Sequence, residues 1–200
     1  MNRLSSPSLP GSRPRRGFTL IELLVVMGIV AVVAVFAVPA LPSLLLGNAL
    51  SRGGQVLGNE LALARQEAMT ANREVEVRFY RISGSWTAVQ AWRVDTDDSG
   101  TTYTPLRHIQ YLPDGIIVKE GLSPLLTADP AVTGQVVLPA RITASYGGFR
   151  FRPSGATSVA VTDANNFLTV QDRNAQGDPP KNYYTLQVNP LSGKIAVYRP

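Results

Sequence analysis

The chain has 200 residues, room for one domain and an appendage, and a formal charge of +5 at pH 7. Four of its cations, Arg3, Arg13, Arg15 and Arg16, fall within residues 1–17, which hold no acid, so the remainder carries about +1 and a basic surface for nucleic acid is not expected. There is no cysteine, which excludes disulfides, thiol nucleophiles and thiolate metal sites. The one histidine, His108, has no G-x-S-x-G elbow to work with and is expected to be a surface or structural residue; no phosphate-binding loop or zinc motif occurs either, so an enzyme is not expected.

Residues 18–38 read FTLIELLVVMGIVAVVAVFAV. As a helix this run would span roughly 31 Å, about the thickness of a bilayer core. Arginines precede it and no basic residue follows until Arg52. The positive-inside rule therefore predicts a single-pass segment with its N-terminus cytoplasmic and the following body carried across the membrane. Glu22 does not belong in such a run. A carboxylate inside a spanning helix costs on the order of 2.5–3.5 kcal/mol near the centre and less near an end, so it points to a function and a partner.

The flanking residues, Arg15-Arg16-Gly17-Phe18-Thr19-Leu20-Ile21-Glu22, resemble the processing motif of type IV prepilins and type II secretion pseudopilins. The resemblance implies that residues 1–17 are a basic leader, that a prepilin peptidase cuts between Gly17 and Phe18, and that the new amine of Phe18 is methylated. Physical reasoning agrees with that implication. Cutting removes all four leader arginines, and Glu22 can then pair with the Phe18 ammonium of a neighbouring subunit, which rewards correct register because an unpaired buried charge is costly. An ordinary secretory signal peptide is the rival, with small residues around Val38-Pro39-Ala40 for a cut, but the run is too long and Glu22 is misplaced for it.

Residues 39–72 continue the helix as an amphipathic segment. Pro39 and Pro42 are expected to kink or loosen it. Leu46, Leu50, Leu57, Leu61, Ala64 and Ala68 recur at helical spacings and form one apolar face. Gly53, Gly54 and Gly58 weaken the helix by roughly 1 kcal/mol each relative to alanine, and Asn72 is a plausible stop.

From residue 74 the period changes to two. Residues 75–82 and 86–94 predict a hairpin around Ser83-Gly84-Ser85; residues 106–111 and 116–119 flank the Pro113-Asp114-Gly115 turn; residues 149–151, 157–162, 167–171, 183–188 and 194–198 complete a set of short strands. The fold class is α+β, a long N-terminal helix packed on an antiparallel β-rich domain over residues 73–200. This body is similar to the H-type minor pseudopilin, or FimT-like, branch of the pilin superfamily, through the alternation after the helix, residues 149–155 and the final hairpin with Gly193. Within that branch, residues 75–80 and 110–115 and the ending Tyr198-Arg199-Pro200 resemble the D component of a pilin-like cassette of Verrucomicrobia.

Asp95, Asp97 and Asp98 ahead of Gly100 form the one oxygen-rich turn suited to calcium. Leu106, however, stands where an EF-hand needs its bidentate glutamate, so an acidic hairpin tip and no cofactor are expected, with a weak calcium site on these three aspartates as the alternative. Residues 172–182 form a polar loop, read either as solvated linkage or as a subunit or substrate contact, and residues 122–132 form an apolar loop that either caps the sheet or offers a contact patch. Arg141, Arg150 and Arg152 are a thin cationic set. The resemblance implies a minor pilin or pseudopilin of a type II secretion pseudopilus or type IV pilus, acting in initiation or near the tip. Its implied partners are other pilin-like subunits, a prepilin peptidase, an inner-membrane assembly platform and membrane lipid. The implied location is the bacterial inner membrane, with the β domain in the periplasm. The alternative is a membrane-anchored periplasmic binding module that never polymerises; such an anchor gains nothing from an acid in its span or from leader processing.

Overall fold

The computed structural model describes residues 17–37, 41–161 and 166–199. Residues 1–16, which hold all but Gly17 of the expected leader, and Val38, Pro39, Thr162 and Pro200 lie outside that set. The chain divides into two units, residues 1–42 and residues 43–200. The first contains α1 (Leu20–Ala37), which is apolar on every side apart from Glu22. Its 18 residues rise about 27 Å. Among the described residues no helix is long and apolar enough to cross a membrane; the apolar run of the sequence continues beyond α1 into Val38.

The second helix, α2, runs over Leu41–Thr70. Pro42 stands in its first turn, where a proline has no intrahelical hydrogen bond to lose, and the expectation for Pro39 falls outside the described residues. The helix stops where Asn72 adopts a left-handed conformation with φ of 50°. There the Arg73 N–H donates to the Ala68 carbonyl at 3.3 Å, the closing bond of a Schellman end. Leu50, Leu57, Leu61, Ala64 and Ala68 are buried, and Leu46 remains partly exposed.

The β domain is one ten-stranded sheet made of β1 (Glu74–Ile82), β2 (Ser85–Asp97), β3 (Gly100–Pro105), β4 (Gln110–Tyr111), β5 (Ile116–Val118), β6 (Thr133–Leu138), β7 (Ile142–Phe151), β8 (Phe167–Asp172), β9 (Tyr183–Val188) and β10 (Ile195–Tyr198). Its principal path is β10-β9-β8-β5-β2-β1-β7-β6, with β3 and β4 paired to β2. All pairings are antiparallel. Alternation along β1 decides the faces. Val75, Val77 and Phe79 join Leu57 and Leu61 of α2 in the main core, whereas Tyr80 joins Ala88, Ala144 and Leu138 in a second, smaller cluster.

The sheet departs from the sequence expectation in five places, the first being the six-residue strand β3, where the sequence gives only an acidic hairpin tip. Residues 106–111 give only the two-residue β4, because the chain loops out between β3 and β4. Residues 157–161 form no strand, only a bridge between Thr157 and Phe151. The whole of β6, and β7 before Phe149, went unanticipated. Gly147 and Gly148 look like turn residues, yet they stand mid-strand because the Leu126 and Val77 carbonyls occupy the space a Cβ would need. The apolar loop caps the sheet: Leu125 and Leu126, in a 3-10 turn over Pro124–Thr127, are buried in the main core.

Candidate functional site

Gly17 and Phe18 precede α1 in non-helical backbone, and Phe18 is 79% exposed. The peptide bond between them is therefore accessible. Thr19 caps the helix, its Oγ1 accepting the Glu22 N–H at 3.2 Å and its carbonyl accepting the Leu23 N–H at 3.2 Å. Thr19-x-x-Glu22 has the spacing of a capping box, a signal present in the sequence that pattern reading for a processing motif passes over. Glu22 is exposed in the first turn, where the partial positive charge of the helix end favours a carboxylate. Among the described residues it has no ion-pair partner.

In the β domain the charged groups are satisfied internally. Glu60 of α2 is 0% exposed. Its Oε1 accepts the Ala91 N–H at 3.0 Å and its Oε2 accepts Arg107 Nε at 2.7 Å. Ala91 lies in the interval of β2 between its pairings with β3 and β4, so the carboxylate fills a position that a neighbouring strand leaves vacant. On the far face, both oxygens of buried Glu76 are engaged, one by Arg78 Nε at 2.6 Å and the other by Arg150 Nε at 3.1 Å. The Arg78 guanidinium lies 4.8, 4.7 and 4.5 Å from the ring centroids of Trp92, Tyr103 and Tyr146, a threefold cation–π enclosure. Tyr80 donates to Gln90 Oε1 and accepts from Trp92 Nε1, each at 3.0 Å. Burial pushes its pKa up to about 12.

Those contacts show where several of the sequence candidates stand. Burial works against the Arg150 cation, but the charge and hydrogen bond of Glu76, with smaller contributions from Asp129 and Tyr103, together outweigh it and raise its pKa. With Glu74 also 3.6 Å away, Arg150 is an internal ion-pair member rather than part of a surface set with Arg141 and Arg152. Asp95 is held by Arg73 at 3.3 Å and Arg93 at 3.0 Å. Asp97 turns onto Ser99, accepting its N–H at 2.8 Å, and hydrogen bonding from the Ser99 side chain first and its backbone N–H second lowers the Asp97 pKa. Asp95, Asp97 and Asp98 thus occupy a hairpin tip without converging, and among the described residues no group of three His, Cys, Asp or Glu side chains is placed to hold a metal ion. His108 is exposed. The polar loop closes over the start of α2, where Asp172, Asn174, Lys181 and Asn182 line a cleft of about 480 Å³ together with Leu46 and Leu50.

Against known families, residues 12–38 match the prokaryotic N-terminal methylation motif and residues 54–192 match the type II transport protein GspH. No curated protein and no solved structure matches the chain. The second match takes in more than half of the chain, and the α+β architecture accords with it: the chain belongs to the GspH family of type II transport proteins, minor pilin-like subunits that are structural rather than catalytic, membrane-anchored and periplasmic, and that associate with other pseudopilins.

Proposed function

We propose that this chain is made with a leader of residues 1–17, is cut by a prepilin peptidase between Gly17 and Phe18, and enters a pseudopilus or pilus with an N-methylated Phe18. The observation that carries this reading is the state of the N-terminal segment. Gly17 and Phe18 lie in exposed, non-helical backbone just before a capped helix, and Glu22 stands in the first turn without an ion-pair partner among the described residues. The match to the N-terminal methylation motif supports it. In the filament the Glu22 carboxylate pairs with the Phe18 ammonium of a neighbouring subunit. Unpaired, either charge in an apolar bundle would be penalised, so only correctly staggered subunits satisfy both. Membership of a family of minor subunits supports a role in initiating the filament or near its tip, with the peptidase, an inner-membrane assembly platform and lipid as further proposed partners.

Two measurements test this. Intact mass and N-terminal analysis of protein from native membranes is expected to give a chain beginning at methylated Phe18; a chain beginning near Leu41 means secretory cleavage and defeats the proposal. Glu22→Ala is expected to insert in the membrane normally while incorporation into filaments drops by about tenfold or more, the consequence of leaving an ammonium unpaired. Unchanged incorporation would sink the pairing mechanism.

A further inference from the structure

The cleft between the polar loop and the start of α2 has an apolar floor, Leu46 and Leu50, and a polar rim. Asp172 lines it where the loop begins and Lys181 where the loop ends. These two side chains carry opposite charges in one cleft. Yet among the described residues neither is in an ion pair, with the other or with any further group. Asp172 accepts the Asn174 N–H through one carboxylate oxygen only. The contrast is with Glu60, Glu76, Arg78 and Arg150, each of which finds its partner inside the domain.

The charges around the cleft say what kind of ligand fits. Residues 172–182 hold two acids, Asp172 and Asp178, and two cations, Arg173 and Lys181, so the loop is neutral as a whole. Arg199, which donates to Ser51 Oγ at 2.9 Å, adds one cation on the flank of α2. Such a rim draws little from net charge and suits a ligand that itself carries both signs. The floor then chooses among zwitterions. Leu45 is 68% exposed and Leu46 38%, apolar side chains in the open at the first turns of α2. They stand about 6–8 Å along that helix from its start, close to the thickness of one lipid headgroup layer, about 5–8 Å. The helix itself begins at Leu41, directly after the apolar run of residues 18–38. A free amino acid or a peptide end would leave these leucines wet, whereas a lipid covers them.

We propose that the cleft holds the headgroup of a zwitterionic phospholipid of the bilayer. Its phosphate meets Lys181, its ammonium meets Asp172, and the upper carbons of an acyl chain run along Leu45 and Leu46. Asp172 is the specificity-determining residue, since it welcomes an ammonium and repels a headgroup that is only anionic. The contact belongs to the subunit while it resides in the membrane. The inference rests on the membrane anchoring that the family shares, and it is independent of leader cleavage and of the pairing of Glu22.

The absence of cysteine gives the test a single reactive position. Ala175, a partly exposed residue of the cleft, is replaced by cysteine in the full-length chain and coupled to a benzophenone. The protein is placed in nanodiscs of equal parts phosphatidylethanolamine and phosphatidylglycerol, illuminated, and weighed intact, so that each adduct mass names its lipid. Adducts are expected to favour phosphatidylethanolamine by at least about threefold, the scale of one exposed ion pair. Adding Asp172→Asn, which keeps an acceptor for the Asn174 N–H, is expected to bring the two lipids to parity. The same label on Ser154→Cys, an exposed position beside Gly155 and Met69 at the other end of α2, is expected to give no lipid adduct. Adducts in the bulk ratio with and without Asp172, or equal labelling from Ser154→Cys, overturn the proposal. Failure to co-purify with nanodiscs defeats the anchoring beneath it, whereas co-purification without any adduct at Ala175→Cys defeats the cleft alone.

Discussion

Tyr80 shows how a single hydroxyl becomes a term in stability. Its pKa rises from 10.0 to about 12, chiefly through burial. Between those values the unfolded chain gives up the phenolic proton while the folded chain keeps it. The folded state is therefore favoured fully below pH 10 and loses that advantage as pH rises toward 12, by roughly 2–3 kcal/mol. Denaturant titrations at pH 9 and pH 12 check this; in Tyr80→Phe the part of the decline due to this group is expected to vanish, and an unchanged decline would place its origin elsewhere. At this scale the sequence was partly legible. Glu22 stood out because an acid in an apolar run is anomalous by itself. Glu60 and Glu76 did not, because an acid on an amphipathic helix or an alternating strand looks solvated until the tertiary partners, Arg107 in one case and Arg78 and Arg150 in the other, are known.

Between elements, the principal contact is that of α2 with the sheet. Gly54 is where the ring of Tyr184 occupies the space of a Cβ, and a Cβ on Gly53 would come within 2.8 Å of Ile116. The glycines that weaken the isolated helix are thus what lets it lie against the strands. The cost was visible in the sequence; the benefit was not, since Tyr184 is 130 residues away. Glu60 fastens the same helix to β2. Glu60→Ala leaves the Ala91 N–H buried without an acceptor, an expected loss of about 1–3 kcal/mol, while Arg107, 41% exposed at its side chain, relaxes into solvent. Glu60→Gln keeps an acceptor and is expected to lose less. Equal midpoints for wild type and Glu60→Ala in urea would show that the carboxylate contributes nothing net. Strands β1, β2, β8, β9 and β10 followed from clean alternation and turn residues. The strand β6 escaped because Thr133, Gly134 and Gln135 carry no apolar alternation and its place is fixed by pairing with β7.

As a whole molecule the chain joins an apolar N-terminal segment to a domain with its own core. Residues 43–200 contain every buried residue of that core, so this portion is expected to fold without the N-terminal segment and to unfold in one cooperative step. Coincident transitions by far-UV circular dichroism and by fluorescence check the expectation, and separated transitions refute it. The fold class was legible because the change from helical to alternating period is abrupt near residue 74; the sheet's path was not, since β5 joining β8 to β2 depends on contacts distant in sequence. The chain's two tryptophans, Trp86 and Trp92, divide between the faces of that sheet. Trp86 lies in the core shared with α2, its Nε1 buried without a hydrogen-bond partner, and Trp92 stacks on Arg78 and donates to Tyr80. The unlabelled protein therefore carries two optical reporters with different surroundings: loosening of the helix alters the emission of one, and a neighbour settling over the opposite surface alters the other.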